Sequence, residues 1–217
     1  MSLVRLDPPA DGPTNMAADA ALLEAGRMAV RVYSWSSVWV TLGRYQRPET
    51  ALVEGCSVPW AMRPTGGKAV LHGHDVTLGL AVPLSSLGLP EGSRRLGDVY
   101  RAVVGPMVAA LCDCGVPAAL AETTPFVRSA GKVADCFAHV SPNDIVGPDG
   151  RKVCGCALKL TASAVLVQAS IPAGPPLVDP ATVYANPAQE KWTPLEPADY
   201  AEALERRLSV LLDQALA

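Results

Sequence analysis

Thirteen residues from Arg63 to Asp75, RPTGGKAVLHGHD, bring charged, imidazole and glycine residues into one short stretch. Glycines at Gly66 and Gly67 allow positive φ and close approach of the backbone to a ligand. Such a loop can present backbone N–H groups to a phosphate or a carboxylate. Arg63 and Lys68 add positive charge at its two ends. Taken alone, the stretch favours a plain glycine turn between strands, since it is neither a Walker loop nor a dinucleotide fingerprint.

Two further side-chain types in the sequence could support acid–base or electrostatic chemistry. Asp75 can accept hydrogen bonds from the loop or orient His72 or His74. Lys152, in GRKVCGCALK, follows a Pro-Asp-Gly turn. A fixed ammonium in a poorly hydrated pocket stabilises the negative charge that an acyl transfer develops on a carbonyl oxygen. Without further context, Lys152 is better interpreted as a solvent-facing residue beside a hairpin turn.

Six cysteines lie at positions 56, 112, 114, 136, 154 and 156. The two Cys-x-Cys pairs are closer than the Cys-x-x-Cys spacing typical of zinc sites. Cys112 and Cys114 fall at the end of an apolar helix, where residues two apart face different directions. We therefore expect free thiols and no metal.

Composition and charge limit the class of protein. The chain has 217 residues, 49% hydrophobic and 18% charged, which suits one self-sufficient domain. A net charge of -3 argues against nucleic-acid binding as the main activity. The N-terminal segment lacks a signal-peptide core, and no apolar run is long enough to span a membrane. The sequence predicts a soluble, cytoplasmic protein with no membrane partner.

Helices and strands interleave along the chain without strict alternation, which predicts a mixed α+β fold. The first half is predicted to contain a helix over TNMAADAALLEAGRMAV capped by Thr14 or Asn15, two strands joined by a turn in AVRVYSWSSVWVTLGRYQ, a short strand in EGCSVPWAMR and a strand in VTLGLAVPL.

The second half is predicted to begin with a polar turn at PEGSRR. A helix then runs from near Asp98 to Gly115, with a kink or break at Pro106. A meander of three strands follows in PNDIVGPDGRKVCGCALKLTASAVLVQASIP. An amphipathic helix starting at Pro197 closes the chain, with one apolar stripe formed by Tyr200, Leu204, Leu208 and Leu211.

Five segments, read in order, resemble the lipoate–protein ligase A and octanoyltransferase family. They are NMAADAALL, RVYSWSSVWVTLGRYQ, RPTGGKAVLHGHDVT, DCF and GRKVCGCA, and the resemblance covers roughly residues 12 to 172. It implies an α+β catalytic domain of the biotin/lipoate ligase type, with a mixed, mostly antiparallel central sheet packed with helices. Residues 1–217 are then expected to form one catalytic domain with no C-terminal accessory domain. The lipoate branch matches this loop better than the biotin branch does.

The resemblance also implies the site. In the family, the glycine loop wraps the acyl chain, and the lysine corresponding to Lys152 contacts the activated carboxyl group. Small residues on its strand leave room for the acyl group to pass. Beside a turn, Lys152 is expected to hold little of the core, so its removal should hardly change thermal stability. The implied substrate-binding residues are Arg63, Thr65, Gly66, Gly67, Lys68, Ala69, Val70, His72, Asp75, Gly155 and Ala157.

Several positions depart from the family pattern. Gln168-Ala169-Ser170 stands where His-Gly-Ser is frequent, Asp19-Ala20 where Asp-Glu is usual, and Gly66-Gly67-Lys68 where many members have three glycines. The first two departures keep open a non-catalytic module that binds an acyl carrier or a lipoyl domain.

Cys136 separates the two enzymatic alternatives. Octanoyltransferases of the family form a thioester on a cysteine in a Cys-Phe context like this one, which implies Cys136 as nucleophile. A nearby ammonium such as Lys152 would favour the thiolate, and His139, His72 or His74 are alternative bases. A small buried residue is the simpler interpretation of Cys136.

The preferred alternative is an octanoyl or lipoyl transferase that needs no cofactor. The second is a lipoate–protein ligase that uses ATP and magnesium. The implied partners are octanoyl-acyl carrier protein or lipoate as donor, and a lipoyl domain or a glycine-cleavage H-type protein as acceptor. Arg44, Arg47 and Arg63 are candidates for the acceptor surface.

Overall fold

The computed structural model describes residues 2–90, 95–129, 131–189 and 191–216, with side chains described up to residue 210. Within these residues the chain forms two sheets and four α-helices, and the fold is α+β as predicted. The strands are β1 Val4–Leu6, β2 Ala29–Tyr33, β3 Trp39–Leu42, β4 Trp60–Met62, β5 Val70–His72, β6 Asp75–Pro83, β7 Ala119–Leu120, β8 Ile145–Val146, β9 Lys152–Leu160 and β10 Ala164–Pro172. The helices are α1 Gly12–Glu24, α2 Pro48–Ala51, α3 Leu96–Asp113 and α4 Pro197–Leu216.

The larger sheet has seven strands in the order β1-β2-β6-β10-β9-β8-β7, and only the β1–β2 pair is parallel. Its long central strands β6 and β10 are almost continuously buried, because both faces are covered. Val165, Val167 and Ile171 pack in the core with α3 and α4. The residues that alternate with these along β10 face the other side of the large sheet, toward α1 and the smaller sheet.

The smaller sheet has the order β4-β3-β5. The two strands predicted in AVRVYSWSSVWVTLGRYQ both form, but they do not pair with each other: β2 lies in the large sheet and β3 in the small one. The Ser-Ser segment between them therefore carries the chain from one sheet to the other. The predicted meander is confirmed, since β8, β9 and β10 pair antiparallel in succession.

Helix α1 begins earlier than predicted. Its cap is Asp11, whose carboxylate accepts a hydrogen bond from the Thr14 amide at 2.9 Å, and not Thr14 or Asn15. A carboxylate placed just before the first turn bonds the free amide groups there and suits the positive end of the helix. Asn15 is fully buried and bonds Arg31 instead.

Helix α3 matches its predicted end, because Gly115 follows it with φ of 75°. The helix runs through Pro106 without a break, and its apolar face against the sheet includes the fully buried Met107. In α4, Tyr200, Leu204 and Leu208 are fully buried as the stripe predicts, whereas the Leu211 side chain and most of PEGSRR lie outside the described residues. Within the described part of the chain, no helix is both long and apolar enough to cross a membrane.

Candidate active site

The glycine loop and the Cys136 segment lie side by side. The Ala69 amide donates to the Ala134 carbonyl at 2.8 Å, and the Cys136 amide donates to the Ala69 carbonyl at 2.8 Å. Ala69 itself is fully buried. These two backbone hydrogen bonds fix the position of Cys136 relative to the loop, although the two segments are far apart in sequence.

Lys152 and Cys136 meet as the sequence predicts. Lys152 Nζ lies 3.2 Å from Cys136 Sγ, and it donates to the Cys136 and His139 carbonyls at 3.0 and 3.2 Å. The lysine side chain is only 3% exposed. It is therefore a buried ammonium, and the interpretation of a solvent-facing lysine is wrong.

A fourth partner of this ammonium was missed by sequence reasoning. Asp144 Oδ2 lies 2.9 Å from Lys152 Nζ, and the aspartate side chain is 2% exposed. The same carboxylate accepts hydrogen bonds from the Ser141 amide and hydroxyl and from the Cys156 amide. Burial lowers the pKa of Lys152, but Cys136 and Asp144 raise it more, so the net direction is upward and the lysine stays charged. An acidic residue just before β8 carried no sequence signal of its own.

Asp144 also changes the expected state of the thiol. Burial raises the pKa of Cys136, Lys152 and Arg63 lower it, and Asp144 raises it again, with a net upward direction. The prediction that Lys152 would favour the thiolate is therefore incomplete, because burial of the thiol, together with the aspartate, outweighs the effect of the ammonium on the pKa of Cys136. At neutral pH the thiol is mainly protonated in the free protein.

Cys136 Sγ sits directly against the backbone of Gly155 on β9. A Cβ at Gly155 would lie 3.2 Å from Cys136 Sγ and 3.3 Å from Lys152 Cε. Ala157, two residues further, would contact a Cβ at Gly67 at 3.6 Å. A larger residue at Gly155 would therefore crowd Cys136 and Lys152, and the passage of an acyl group along Gly155 and Ala157 stays a prediction.

A narrow cavity of about 50 Å³ begins at Cys136 and runs across strands β9, β10 and β6 of the large sheet. Gly155, Ser170 and Thr77 are neighbours on β9, β10 and β6. Two inter-strand spacings separate the outer pair, which gives a length of about 10 Å. The cavity is lined by Met16, Tyr33, Trp35, Thr41, Arg63, Gly67, Lys68, Val70, His72, Thr77, Cys136, Gly155, Cys156, Ala157, Gln168, Ala169 and Ser170.

The polar groups at the far end of the cavity bond one another. Asp75 accepts hydrogen bonds from His72 at 2.8 Å, Thr77 at 2.8 Å and Ser170 at 2.6 Å. Burial raises the pKa of Asp75, but His72 and Ser170 lower it by more, so the net result is a pKa of about 2. The His72 ring stacks on Trp35 with centroids 4.0 Å apart. With its polar groups satisfied internally, this end presents mainly apolar ring and side-chain surface to a ligand.

Among the described contacts, neither His72 nor His139 hydrogen-bonds the Cys136 thiol. His72 bonds Asp75 and Thr41, and His74 is buried outside the cavity lining. His139 is half-buried, and burial together with Lys68 and Lys152 lowers its pKa, so its imidazole is neutral at physiological pH.

Arg63 is buried inside the glycine loop and hydrogen-bonds its backbone. It is 5% exposed, and its guanidinium donates to the Gly66 carbonyl at 2.6 Å and the Lys68 carbonyl at 2.7 Å. It also donates to Thr65 Oγ1 at 3.1 Å. The suggestion that Arg63 belongs to an exposed acceptor surface is therefore wrong, although the residue does line the cavity.

One departure from the family pattern, Gln168, belongs to a buried hydrogen-bond network. Thr65 Oγ1 donates to Gln168 Oε1 at 2.8 Å, and Gln168 Nε2 donates to Asp19 at 2.6 Å. Asp19 is also paired with Arg31 at 2.8 Å. Gln168 thus ties helix α1 to the glycine loop across the cavity floor.

Only one of the two loop glycines takes positive φ. Gly67 has φ of 89°, whereas Gly66 does not appear among the residues with positive φ. A Cβ at Gly67 would lie 2.9 Å from Arg63 Nη2, while one at Gly66 would meet only Tyr45, at 3.9 Å. Positive φ, expected at both glycines, is thus found at Gly67 alone, and the close approach of the loop backbone to a ligand stays a prediction.

The cysteines are free thiols among the described residues, and no group of three or more His, Cys, Asp or Glu residues there is placed to hold a metal ion. Cys154 is buried in the core. Cys156 lines the cavity, which the sequence did not indicate. Cys154 and burial raise the pKa of Cys156 well above its ordinary value, so this second thiol stays protonated.

The chain is similar to known proteins over most of its length. The family model described as the lipoyl protein ligase A/B catalytic domain matches residues 11–213. The octanoyltransferase LipM of Exiguobacterium sp. is 32% identical over 171 residues, which are 73% of this chain and 60% of the relative. The chain thus spans about three fifths of the length of this relative.

Solved structures show the same fold. A crystal structure of lipoate-protein ligase A bound with ATP superposes with a TM-score of 0.73 at 18% identity, covering 98% of this chain and 85% of the other. A structure from Thermoplasma acidophilum, described as a bi-partite lipoate protein ligase and its E2 lipoyl domain, gives a TM-score of 0.69 at 19% identity, with 98% and 85% covered.

Proposed function

This chain belongs to the lipoyl protein ligase A/B catalytic-domain family, and from that premise we propose that it transfers an octanoyl group from a carrier thioester to a lysine of a lipoyl-acceptor protein, through a thioester on Cys136. The observation that carries the proposal is the pairing of a thiol with a buried ammonium at one end of an apolar cavity. Cys136 Sγ and Lys152 Nζ are 3.2 Å apart there.

The first half-reaction loads the enzyme. The Cys136 thiolate attacks the carbonyl carbon of the donor thioester, a C–S bond forms, and the bond to the carrier sulfur breaks. The proton lost by Cys136 ends on the departing carrier thiol. Lys152 stabilises the negative charge on the carbonyl oxygen at the tetrahedral stage, because a preorganised charge in a poorly hydrated site costs no reorganisation.

The second half-reaction transfers the acyl group. A neutral lysine amine of the acceptor attacks the thioester carbonyl, an amide bond forms, and the sulfur leaves as the Cys136 thiolate. The amine releases one proton, which restores the Cys136 thiol. Asp144 acts through Lys152 in both halves, since it holds the ammonium beside the sulfur.

The dimensions of the cavity support an eight-carbon saturated chain. The path from Gly155 to Thr77 is about 10 Å, which matches an extended octanoyl group. Trp35 closes the far end with His72. Because the enclosed volume is only about 50 Å³, side chains along the path must move apart when the chain enters.

A second candidate is an ATP-dependent lipoate–protein ligase. One observation favours it: the raised pKa of Cys136 leaves the thiol protonated at neutral pH. In a ligase, Lys152 would contact the activated carboxyl group of an acyl-adenylate, and Cys136 would only line the pocket. ATP with magnesium would then be a substrate.

Intact-mass spectrometry separates the alternatives. The protein is mixed with octanoyl-acyl carrier protein, or separately with octanoate or lipoate plus ATP and magnesium, and then with an apo lipoyl domain. An octanoyl adduct on the protein that passes to the lipoyl domain supports the transferase. Modification of the lipoyl domain only with ATP supports the ligase. If the lipoyl domain is modified under neither condition, the result supports a non-catalytic binding module.

Substitution of Gly67 is expected to slow enzyme loading by about 10²-fold, because misplacement of the loop by about 1 Å costs that much. Gly67→Val forces a β-branched residue to positive φ and into the Arg63 guanidinium. Stopped reactions followed by intact mass measure the loading rate. Gly66→Ala is the matched control and should keep the wild-type rate, since its Cβ meets nothing closer than 3.9 Å. Normal loading by a folded Gly67→Val protein would support the interpretation of the loop as a plain glycine turn with no part in loading.

A further inference from the structure

The Cys-Gly-Cys segment of β9 brings two thiols into contact. Cys154 and Cys156 point to the same face of the strand, because side chains two residues apart along a strand share a face. Their sulfur atoms lie 3.7 Å apart. Cys154 is fully buried and Cys156 is half-buried. The proposed acyl transfer uses neither thiol, so that reaction does not explain their contact.

The second Cys-x-Cys pair of the chain has the same spacing but a different geometry. Cys112 lies in α3 and Cys114 follows the helix, where residues two apart point in different directions. The Cys112 thiol donates to the Ala118 carbonyl at 3.6 Å. Among the described cysteines, only the pair on β9 has its two sulfur atoms in hydrogen-bonding contact.

A disulfide between the two cysteines of β9 requires a small bend of the strand. Residues two apart in an extended strand have Cα atoms about 6.4–6.8 Å apart. Cα atoms joined by a disulfide are mostly about 5.5–6 Å apart, so the strand must shorten by about 1 Å. Gly155 lies at this point, and glycine accepts a wider range of backbone conformations than other residues. The β8–β9 ladder ends at Cys154, opposite Ile145, so among the described strands only β10 pairs with the next two residues.

Such a bend reaches the candidate active site directly. A Cβ at Gly155 would lie 3.2 Å from Cys136 Sγ and 3.3 Å from Lys152 Cε. The Cys156 amide donates to Asp144 Oδ1 at 3.3 Å, and the other oxygen of this carboxylate pairs with Lys152. A bend therefore shifts both the wall beside the nucleophile and the carboxylate that holds the ammonium. Misplacement of reacting groups by about 1 Å costs about 10²-fold in rate.

A small oxidant can reach the pair through the cavity. Cys156 lines this cavity, whose volume of about 50 Å³ exceeds what a water-sized molecule needs. Hydrogen peroxide is close to that size. Cys154 and burial raise the pKa of Cys156, so its reactive thiolate is scarce at neutral pH. We therefore expect a slow oxidation that becomes faster as pH rises.

We propose that Cys154 and Cys156 are a redox-sensitive pair, which hydrogen peroxide converts to a disulfide, and that this disulfide slows acyl loading at Cys136. Formation of the disulfide is independent of the proposed function, whereas its effect on loading rests on that function.

The oxidation proceeds in two balanced steps. Peroxide oxidises the Cys156 thiol to a sulfenic acid and releases one water. The Cys154 sulfur then attacks the Cys156 sulfur, the S–O bond breaks, and the hydroxide leaves with the Cys154 proton as a second water. The two thiols lose two electrons in total, and both oxygens of the peroxide end in water. Dithiothreitol reverses the reaction by thiol–disulfide exchange.

The test treats the full chain with hydrogen peroxide and follows three quantities. These are the disulfide content by peptide mass spectrometry, the loading rate from octanoyl-acyl carrier protein, and the rate at which iodoacetamide alkylates Cys136. Cys154→Ala removes one thiol of the pair, and Cys154→Val is a second variant that fills the core better. Cys112→Ser/Cys114→Ser is the matched control, because it removes a pair of the same spacing whose sulfur atoms are not in contact.

In the wild type, the peptide that contains both cysteines of β9 is expected to lose two hydrogens, and the loading rate should fall about 10²-fold. Dithiothreitol should restore both. The alkylation rate of Cys136 should differ between the oxidised and the reduced protein. Cys154→Ala should keep its loading and alkylation rates through the same treatment, and Cys112→Ser/Cys114→Ser should respond like the wild type.

Absence of a disulfide between Cys154 and Cys156 after peroxide treatment would overturn the proposal, and so would a disulfide that leaves loading unchanged. An equal loss of loading in Cys154→Ala would overturn it too, since peroxide would then act on Cys136 itself. If the reduced protein never loads an octanoyl group, the proposed enzymatic function fails. The disulfide content and the alkylation rate of Cys136 then still decide whether the redox pair exists and acts on the site.

Discussion

Cys136→Ser is expected to form no stable octanoyl adduct and to lose transfer to an acceptor lysine almost completely, because serine is far less nucleophilic than a thiolate beside an ammonium. The sulfur lies 3.2 Å from Lys152 Nζ, and the smaller hydroxyl fits the same place against Gly155. Intact mass after exposure to octanoyl-acyl carrier protein measures the adduct. Cys156→Ser is the matched control, since that thiol also lines the cavity and should leave the adduct intact.

The loading rate should also depend on pH in a defined direction. The thiolate is the reactive form, and burial with Asp144 raises the pKa of Cys136. Because this pKa lies above the ordinary thiol value of about 8.5, the loading rate should rise as pH increases from about 7 to about 9 and should not level off within that range. A loading rate that is flat over this range would show that ionisation of Cys136 does not limit loading. A Cys136→Ser protein that lipoylates the domain at the wild-type rate with ATP would assign the chain to the ligase alternative.

Lys152→Met is expected to slow both half-reactions by about 10²–10³-fold, the usual cost of losing one charge-stabilising group at the reacting carbonyl. It should also destabilise the protein by about 3–5 kcal/mol, because Asp144 is left buried without its counter-ion. Loading rates and the free energy of unfolding measure the two effects. The expectation from sequence that removing Lys152 would hardly change stability is therefore not retained.

The double variant Lys152→Met/Asp144→Asn separates chemistry from folding. Removing both charges should recover most of the lost stability, while activity stays low. If the double variant recovers activity as well, Lys152 acts through the fold alone. If Lys152→Met retains the wild-type loading rate, the lysine has no part in the reaction.

Much of the fold follows from patterns that act locally. Apolar runs bounded by turns predict β6, β9 and β10, and 3.6-residue periodicity predicts α3 and α4, because each pattern is produced by neighbours along the chain. The family-like segments also identify the loop, Cys136 and Lys152 as parts of one site. The expectation that residues 1–217 form a single domain without a C-terminal accessory domain stays a prediction.

Other features depend on contacts between distant residues, which no local pattern encodes. β2 and β3 are neighbours in sequence, yet tertiary packing assigns them to different sheets. Arg63 looks like any exposed arginine, yet the loop folds around it and buries it.

The sequence by itself determined the fold class, the family and the pair Lys152 and Cys136, because these depend on residue types at fixed spacings. Only the tertiary structure decided the ionisation state of that pair. Asp144 reaches Lys152 across the β8–β9 turn and offsets its charge on the thiol. Burial and charge–charge distance set a pKa, and both are properties of the folded arrangement.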